Sequence, residues 1–290
     1  MSLLTSSQFS RFRKLTHDLT GVTIAKTRRS MLNSRIASRL RALKMDDVDT
    51  YYELVNNDAA ERALFIHRVT THETYFFRTQ RVWDYVANDF LPSWYERQPG
   101  QTCRVWSAAA SYGEEAYSTA MLMQEFATKH ADFRFDIHGS DISTEAIKKA
   151  QLGVYQGRNI QRLRDSHPEL LKRYLVEKND GHQVERSIQD KVSFSTHNLF
   201  TEFRYPYKFD LILCRNVLIY FDRDDQAKVL KNLKQALAED GVLIIGESEN
   251  LNQFGAMFEP LESLAYRAVP TPAQRSEVSI ESRDPELEPN

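Results

Sequence analysis

Apolar positions along this chain follow two different periods. From the start to about residue 75 they recur every three to four residues, with one glycine and no proline, as in packed amphipathic helices. Leu32, Ile36, Leu40 and Leu43 make one such stripe. After residue 100 short runs of strand type take over: VW at 105–106, FRFDIHGS at 133–140, VSFSTHN at 192–198, FDLIL at 209–213 and VLIIG at 242–246. The continuous ones read as strands buried on both faces, and helical stretches separate them. This alternation predicts a parallel, doubly wound α/β sheet behind a small all-α domain.

The first strand runs into RVWSAAASYGEEAYS at 104–118, a strand, small-residue turn and helix start, where such a sheet receives a nucleotide-like ligand. Gly113 permits a turn other residues resist. The turn has neither G-x-G-x-x-G nor G-x-x-x-x-G-K-[ST], and Glu114 and Glu115 would meet any phosphate with like charge. A nucleoside with a cationic end, S-adenosylmethionine, is the better match; an ordinary turn with solvated acids is the plain alternative. Asp141, ending the second strand, is placed to accept from ribose hydroxyls and equally to cap the helix beginning near Ser143. In THETYFFR, residues 71–78, Thr74 and Arg78 would share one face of a helix while Phe76 and Phe77 bury. Arg78 then emerges at the domain junction, either as a surface arginine or as a bidentate grip on a carboxylate.

Lys26 to Lys44 carries seven cations and no acid: Lys26, Arg28, Arg29, Arg35, Arg39, Arg41 and Lys44. At 100° per residue Arg28, Arg35 and Arg39 fall within about 40° of one another. With no local acid to balance it, the ridge suits an acidic partner surface better than a merely solvated face.

Composition narrows the class. The 290 residues are 41% apolar and 27% charged, with a net charge of −2, so no global attraction to nucleic acid or anionic membrane is expected. No membrane-spanning run or signal peptide is apparent, which makes the cytoplasm the expected compartment. Cys103 and Cys214 fall in strands as packed thiols, and the histidines lack ligand spacing, so no metal is expected. A monomer is expected, because no long heptad or large apolar stripe is present.

Six motifs in order give this chain a close resemblance to the chemotaxis receptor glutamate O-methyltransferases, the CheR family, over residues of about 10 to 268. They are T-x-F-F-R at 74–78, W-S-A-x-x-S-x-G-E-E at 106–115, S-D-I at 140–142, N-L at 198–199, C-R-N-V-x-I-Y-F at 214–221 and S-E-N at 248–250. The resemblance implies a Rossmann-like class I methyltransferase with an inserted antiparallel β-subdomain. It places an all-helical domain at 1–76, with a receptor-docking basic helix at about 27–44, and the methyltransferase domain at 77–269. The subdomain is expected at about 158–191 and a disordered acidic tail at 270–290. It implies that His72, Thr74, Arg78, Glu115, Asp141, Asn198, Leu199, Arg215 and Asn216 hold S-adenosylmethionine. Arg78 and Tyr220 are the expected catalytic positions, and Arg28, Arg35, Arg39 and Arg41 the expected docking residues. Tyr112 and Glu247 depart from the smaller Thr and the His frequent in the family.

The implied reaction is methyl transfer to glutamate carboxylates on the cytoplasmic helical bundle of methyl-accepting chemoreceptors, leaving S-adenosylhomocysteine. The charged segment 176–190, shorter than in tethering members, points to independence of a receptor pentapeptide. Two alternatives are a non-catalytic cofactor-binding module, which fold alone permits, and a nucleic-acid methyltransferase. The second is disfavoured because aromatics do not alternate with the basic ridge and no N-P-P-Y motif is present.

Overall fold

A computed structural model describes residues 4–179, 181–262 and 264–270, so the expected tail lies outside the described residues from 271 onward. Four helices form the N-terminal region: α1 Ser6–Thr20, α2 Arg29–Leu43, α3 Val48–Asn57 and α4 Ala59–Val69. Local side chains cap them. Thr5 and Gln8 form a reciprocal capping box on α1, and the carboxylates of Asp47 and Asp58 accept the first free N–H groups of α3 and α4. Leu32, Ile36 and Leu40 enter a core with Phe9, Phe12, Leu15, Tyr51, Val55 and Phe65; Leu43 lies partly buried at its edge.

Two of the basic side chains belong to this packing rather than to a free ridge. Arg39 forks onto Glu61, a residue 4% exposed, at 2.6 and 2.5 Å, and the Tyr51 hydroxyl donates to the same carboxylate at 3.0 Å. Arg35 donates to the Val69 carbonyl at 2.7 Å, tying α2 to the end of α4. The ridge expected over Arg28, Arg35 and Arg39 is therefore divided. The balancing acid comes from α4, outside the segment Lys26 to Lys44. Lys26, Arg28, Arg41 and Lys44 remain exposed.

The second region is a seven-stranded sheet of order β6-β2-β1-β7-β8-β10-β9. The strands are β1 Thr102–Ser107, β2 Arg134–Asp141, β6 Val192–Thr196, β7 Phe209–Cys214 and β8 Leu237–Ile245, all parallel to one another, then β10 Ala265–Ala268, antiparallel to β8, and β9 Phe258–Glu262, antiparallel to β10. Alternation along the strands divides the core into two. Val105, Leu211, Leu213, Val242 and Ile244 pack with Trp83, Phe90, Trp94, Tyr117 and Met121 on one face. Trp106, Ile212, Cys214, Leu243 and Ile245 pack with Val229, Leu230 and Leu233 of the helix Arg223–Ala236 on the other. Cys103 and Cys214 are buried on opposite faces and unpaired. No described helix is long and apolar enough to cross a membrane.

A three-stranded antiparallel sheet of order β3-β5-β4 is inserted, made of β3 Val154–Tyr155, β4 Leu175–Lys178 and β5 Gly181–Val184. It begins before residue 158 and encloses two helices, Arg158–Ser166 and Pro168–Tyr174. Residues 176–190 are not one loop: they hold most of β4, all of β5 and the short helix Arg186–Gln189.

Residues 71–78 do not form the expected helix. Long-range bonds take the groups a helix would need. Ser118 Oγ accepts the Phe77 N–H at 3.0 Å, while Trp83 Nε1 donates to the Arg78 carbonyl at 3.0 Å. Phe77 adopts φ +52°, and Phe76 and Phe77 are buried as anticipated.

Candidate active site

The site forms at the carboxyl ends of β1, β2, β6 and β7. After β1 the chain turns through Ser111 and Gly113, both at positive φ, into the helix Glu114–Lys129. A Cβ on Gly113 would stand 2.9 Å from Ala150 Cβ and 3.0 Å from the Tyr155 hydroxyl, so this corner requires glycine in conformation and in space. The two acids that open the helix separate. Glu115 lines the cavity, whereas Glu114, 1% exposed, turns away to accept from Asn159 Nδ2 at 2.6 Å. Burial pushes the Glu114 carboxyl up to about 7. The charge argument against a phosphate thus rests on one carboxylate, not two.

Glu115 accepts from Ser107 Oγ at 2.8 Å and from Arg215 at 2.9 Å. Burial pushes its carboxyl up, and the Arg215 guanidinium opposes that shift. Arg215 also donates to the Arg78 carbonyl at 2.6 Å, which joins the ends of β1 and β7 to the segment 71–78. The Arg78 side chain donates to the Glu73 carbonyl at 2.8 Å and lines the cavity.

Asp141 is 8% exposed and accepts one backbone N–H on each oxygen, from Ser111 and from Ser143, both at 2.9 Å. Each oxygen keeps a lone pair for a further donor. Ser143 itself caps the following helix through Ala146 N. Asn198 donates to the Leu19 carbonyl of α1 at 3.2 Å and accepts from Phe200 N at 3.1 Å. Leu199 is buried beside it.

The helical domain completes the cavity. Thr23 N donates to the Tyr220 carbonyl at 2.8 Å, and Arg28, Met31 and Thr23 line the same space as Tyr220. His72 bonds Thr70 Oγ1 at 2.8 Å and stacks on His67; burial lowers it to about 4, so it is neutral at pH 7. Below, His17 meets Asp225 at 2.7 Å and clasps the two domains.

The resulting cavity encloses about 410 Å³. It gathers His72, Thr74, Arg78, Glu115, Asp141, Asn198, Leu199, Arg215, Asn216 and Tyr220, together with Arg28; Arg35, Arg39 and Arg41 are not on its wall. Lining residues not foreseen include Thr23, Met31, Tyr75 and His197, while Ser111 belongs to the small-residue turn expected to meet the ligand. The connection 21–25 offered no sequence signal, because it acts through its backbone and by position.

The lining fits S-adenosylmethionine. An anion at Glu115 suits an ammonium, the remaining N–H groups of Arg78 suit a carboxylate, and the free lone pairs of Asp141 suit a ribose diol. Ser111 Oγ, His197 Nε2 and Arg215 Nε are buried without a protein partner, and all three residues line this cavity. Buried polar atoms are normally satisfied, so orphans on residues that line one cavity mark a ligand surface.

Comparison with known proteins agrees. Residues 72–267 match the family model described as CheR methyltransferase, SAM binding domain, and residues 7–70 that described as CheR methyltransferase, all-alpha domain. The chemotaxis protein methyltransferase of Salmonella typhimurium is 35% identical over 256 residues, covering 86% of this chain and 85% of its own. That of Escherichia coli is 34% identical over 262 residues, with 88% of each chain covered, and that of Borreliella burgdorferi 31% over 257, covering 86% and 89%.

Proposed function

Because this chain belongs to the CheR methyltransferase family, and so carries out S-adenosylmethionine-dependent methylation in chemotaxis, we propose that it methylates glutamate side chains on chemoreceptor cytoplasmic domains. The observation that carries this reading is the make-up of the cavity. Its lining gathers Arg78, Glu115 and Asp141 together with Tyr220 and with Thr23, Arg28 and Met31 of the helical domain. An acidic partner reaching the cofactor would meet Arg28 at the cavity, and Lys26 beside it is exposed.

A glutamate carboxyl, with an ordinary pKa of about 4.3, is already the anionic nucleophile at pH 7 and needs no general base. The bound cofactor supplies the sulfonium methyl. This chain's residues bind and align: Glu115 and Arg78 hold the amino-acid end, Asp141 the ribose, and Asn198 and Leu199 the adenine. Tyr220 orients the acceptor carboxylate through its hydroxyl. Holding oxygen, carbon and sulfur near collinear supplies several kcal/mol of the order seen for oriented reactants. An anion and a sulfonium become a neutral ester and a neutral thioether, so strong binding of either charge alone would slow transfer.

The enzyme is further proposed to act without a receptor pentapeptide. The β4 to β5 connection spans only residues 179 and 180, which leaves no long glycine-rich loop between these strands. Peptide mapping of receptor domains after incubation with cofactor tests the whole reading. One added methyl on glutamate residues is the expected result; methylation confined to other side chains contradicts it.

A further inference from the structure

Glu249, in the S-E-N segment, lies outside the cavity wall and has no role in the reading above. It is 8% exposed, and its carboxylate accepts four backbone N–H groups. Oε2 takes Asn216 N at 2.9 Å and Gly246 N at 2.6 Å; Oε1 takes Val217 N at 2.8 Å and Leu218 N at 2.7 Å. Three consecutive amides thus point at one anion, in the manner of a backbone nest. Asn216 stands at φ +58°, in the left-handed region that asparagine enters more readily than other non-glycine residues, and this turn aims the three amides at the carboxylate. Gly246 leaves the room: a Cβ there would lie 2.6 Å from Asn216 Nδ2 and 2.8 Å from Glu249 Oε2.

The backbone fixed in this way is part of the active site. Asn216 and Val217 line the cavity, and the short turn Leu218–Tyr220 follows at once, with Tyr220 N donating to the Val217 carbonyl. Glu115 and the Arg78 carbonyl meet the side chain of Arg215, just before this stretch, and Asp141 is held by Ser111 and Ser143, so none of the three bonds to residues 216–218. Taking the methyltransferase reading as given, we infer that Glu249 is a positioning residue for methyl transfer. Its carboxylate sets the backbone of residues 216–218, and through it Tyr220, on the acceptor side, while the contacts of Glu115, Asp141 and Arg78 stand without it.

Glu249→Gln keeps the volume but turns an amide N–H₂ toward amide donors. Steady-state methylation of receptor domains and calorimetric binding of S-adenosylhomocysteine are measured on folded wild type and variant. A displacement of about 1 Å at an acceptor-side loop can cost up to about 100-fold, so kcat should fall by about 10- to 100-fold while the S-adenosylhomocysteine Kd moves by less than about threefold. A kcat within about twofold of wild type overturns the inference, as does an equal loss of rate and affinity. If the variant does not fold, amide hydrogen exchange on the wild type decides. Protection of the 216–218 amides before cofactor is added supports the inference, and free exchange there overturns it. A wild type that methylates no receptor domain counts against the proposed function instead, and the exchange result still decides the role of Glu249.

Discussion

Arg215 and Glu115, one hundred residues apart, face each other at 2.9 Å with the arginine side chain 1% exposed, and the same guanidinium holds the Arg78 carbonyl. One side chain therefore fixes three segments of the site in register. Arg215→Ala would leave a buried, unpaired carboxylate, which typically costs about 3–5 kcal/mol. Arg215→Lys keeps the charge but lacks the fork that reaches both partners. Denaturant unfolding should rank wild type above Lys above Ala, and the stabilisation by S-adenosylhomocysteine should shrink in the same order.

Glu114 gives a pH dependence whose sign is determined. Its carboxyl, buried beside Asn159, rises from the ordinary value to about 7, so between about pH 4.5 and 7 the folded state binds the extra proton. Stability contributed by this group is present at low pH and is lost as pH rises through 7. Glu114→Gln cannot ionise, so it should match wild type near pH 4, below the range in which the two states differ in protonation. Near pH 8 it should be more stable by up to about 3 kcal/mol for a shift of this size. Thermal melts at the two pH values check this; an equal effect at both would show that Glu114 does not titrate in this way.

The division of the basic ridge changes which substitutions can report on partner docking. Arg39→Glu would place two carboxylates together where Arg39 now forks onto Glu61, and should unfold the helical domain whatever the partner does. Arg28→Glu and Arg41→Glu, at exposed positions, should leave the melting midpoint within about 2 °C, since surface changes are usually within ±0.5 kcal/mol. Receptor affinity should fall and lose part of its salt dependence, while Arg41→Glu, away from the cavity wall, leaves S-adenosylhomocysteine binding constant. Unchanged receptor affinity would take this face out of the docking surface.

Tyr220 touches the helical domain through its backbone carbonyl, which accepts from Thr23 N, and its hydroxyl makes no hydrogen bond among the described residues. Tyr220→Phe should therefore keep the fold and cofactor affinity. Loss of one orienting hydrogen bond, worth about 0.5–1.5 kcal/mol, should lower kcat by about threefold to tenfold. An unchanged kcat would remove the orienting role.

The strands and the turn at 107–113 were legible because buried parallel strands are written as continuous apolar runs, and a glycine that must take φ +96° stands out among small residues. The Arg39–Glu61 pair was not, because its two members lie 22 residues apart on separate helices. Residues 71–78 look helical by spacing, yet Ser118, Trp83 and Arg215 claim their backbone groups. The short antiparallel strands at 258–268 are interrupted by Pro260 and partly exposed, which leaves little periodicity to read. Glu249 belonged to a visible motif, but which amides a carboxylate will reach is settled only when the ends of β7 and β8 come together.

The most direct test is transfer of labelled methyl from S-adenosylmethionine to purified chemoreceptor cytoplasmic domains, followed by mild alkali. Label released as methanol is the expected result, because carboxyl methyl esters hydrolyse under base. Label that stays on the receptor through the alkali step would contradict glutamate methylation.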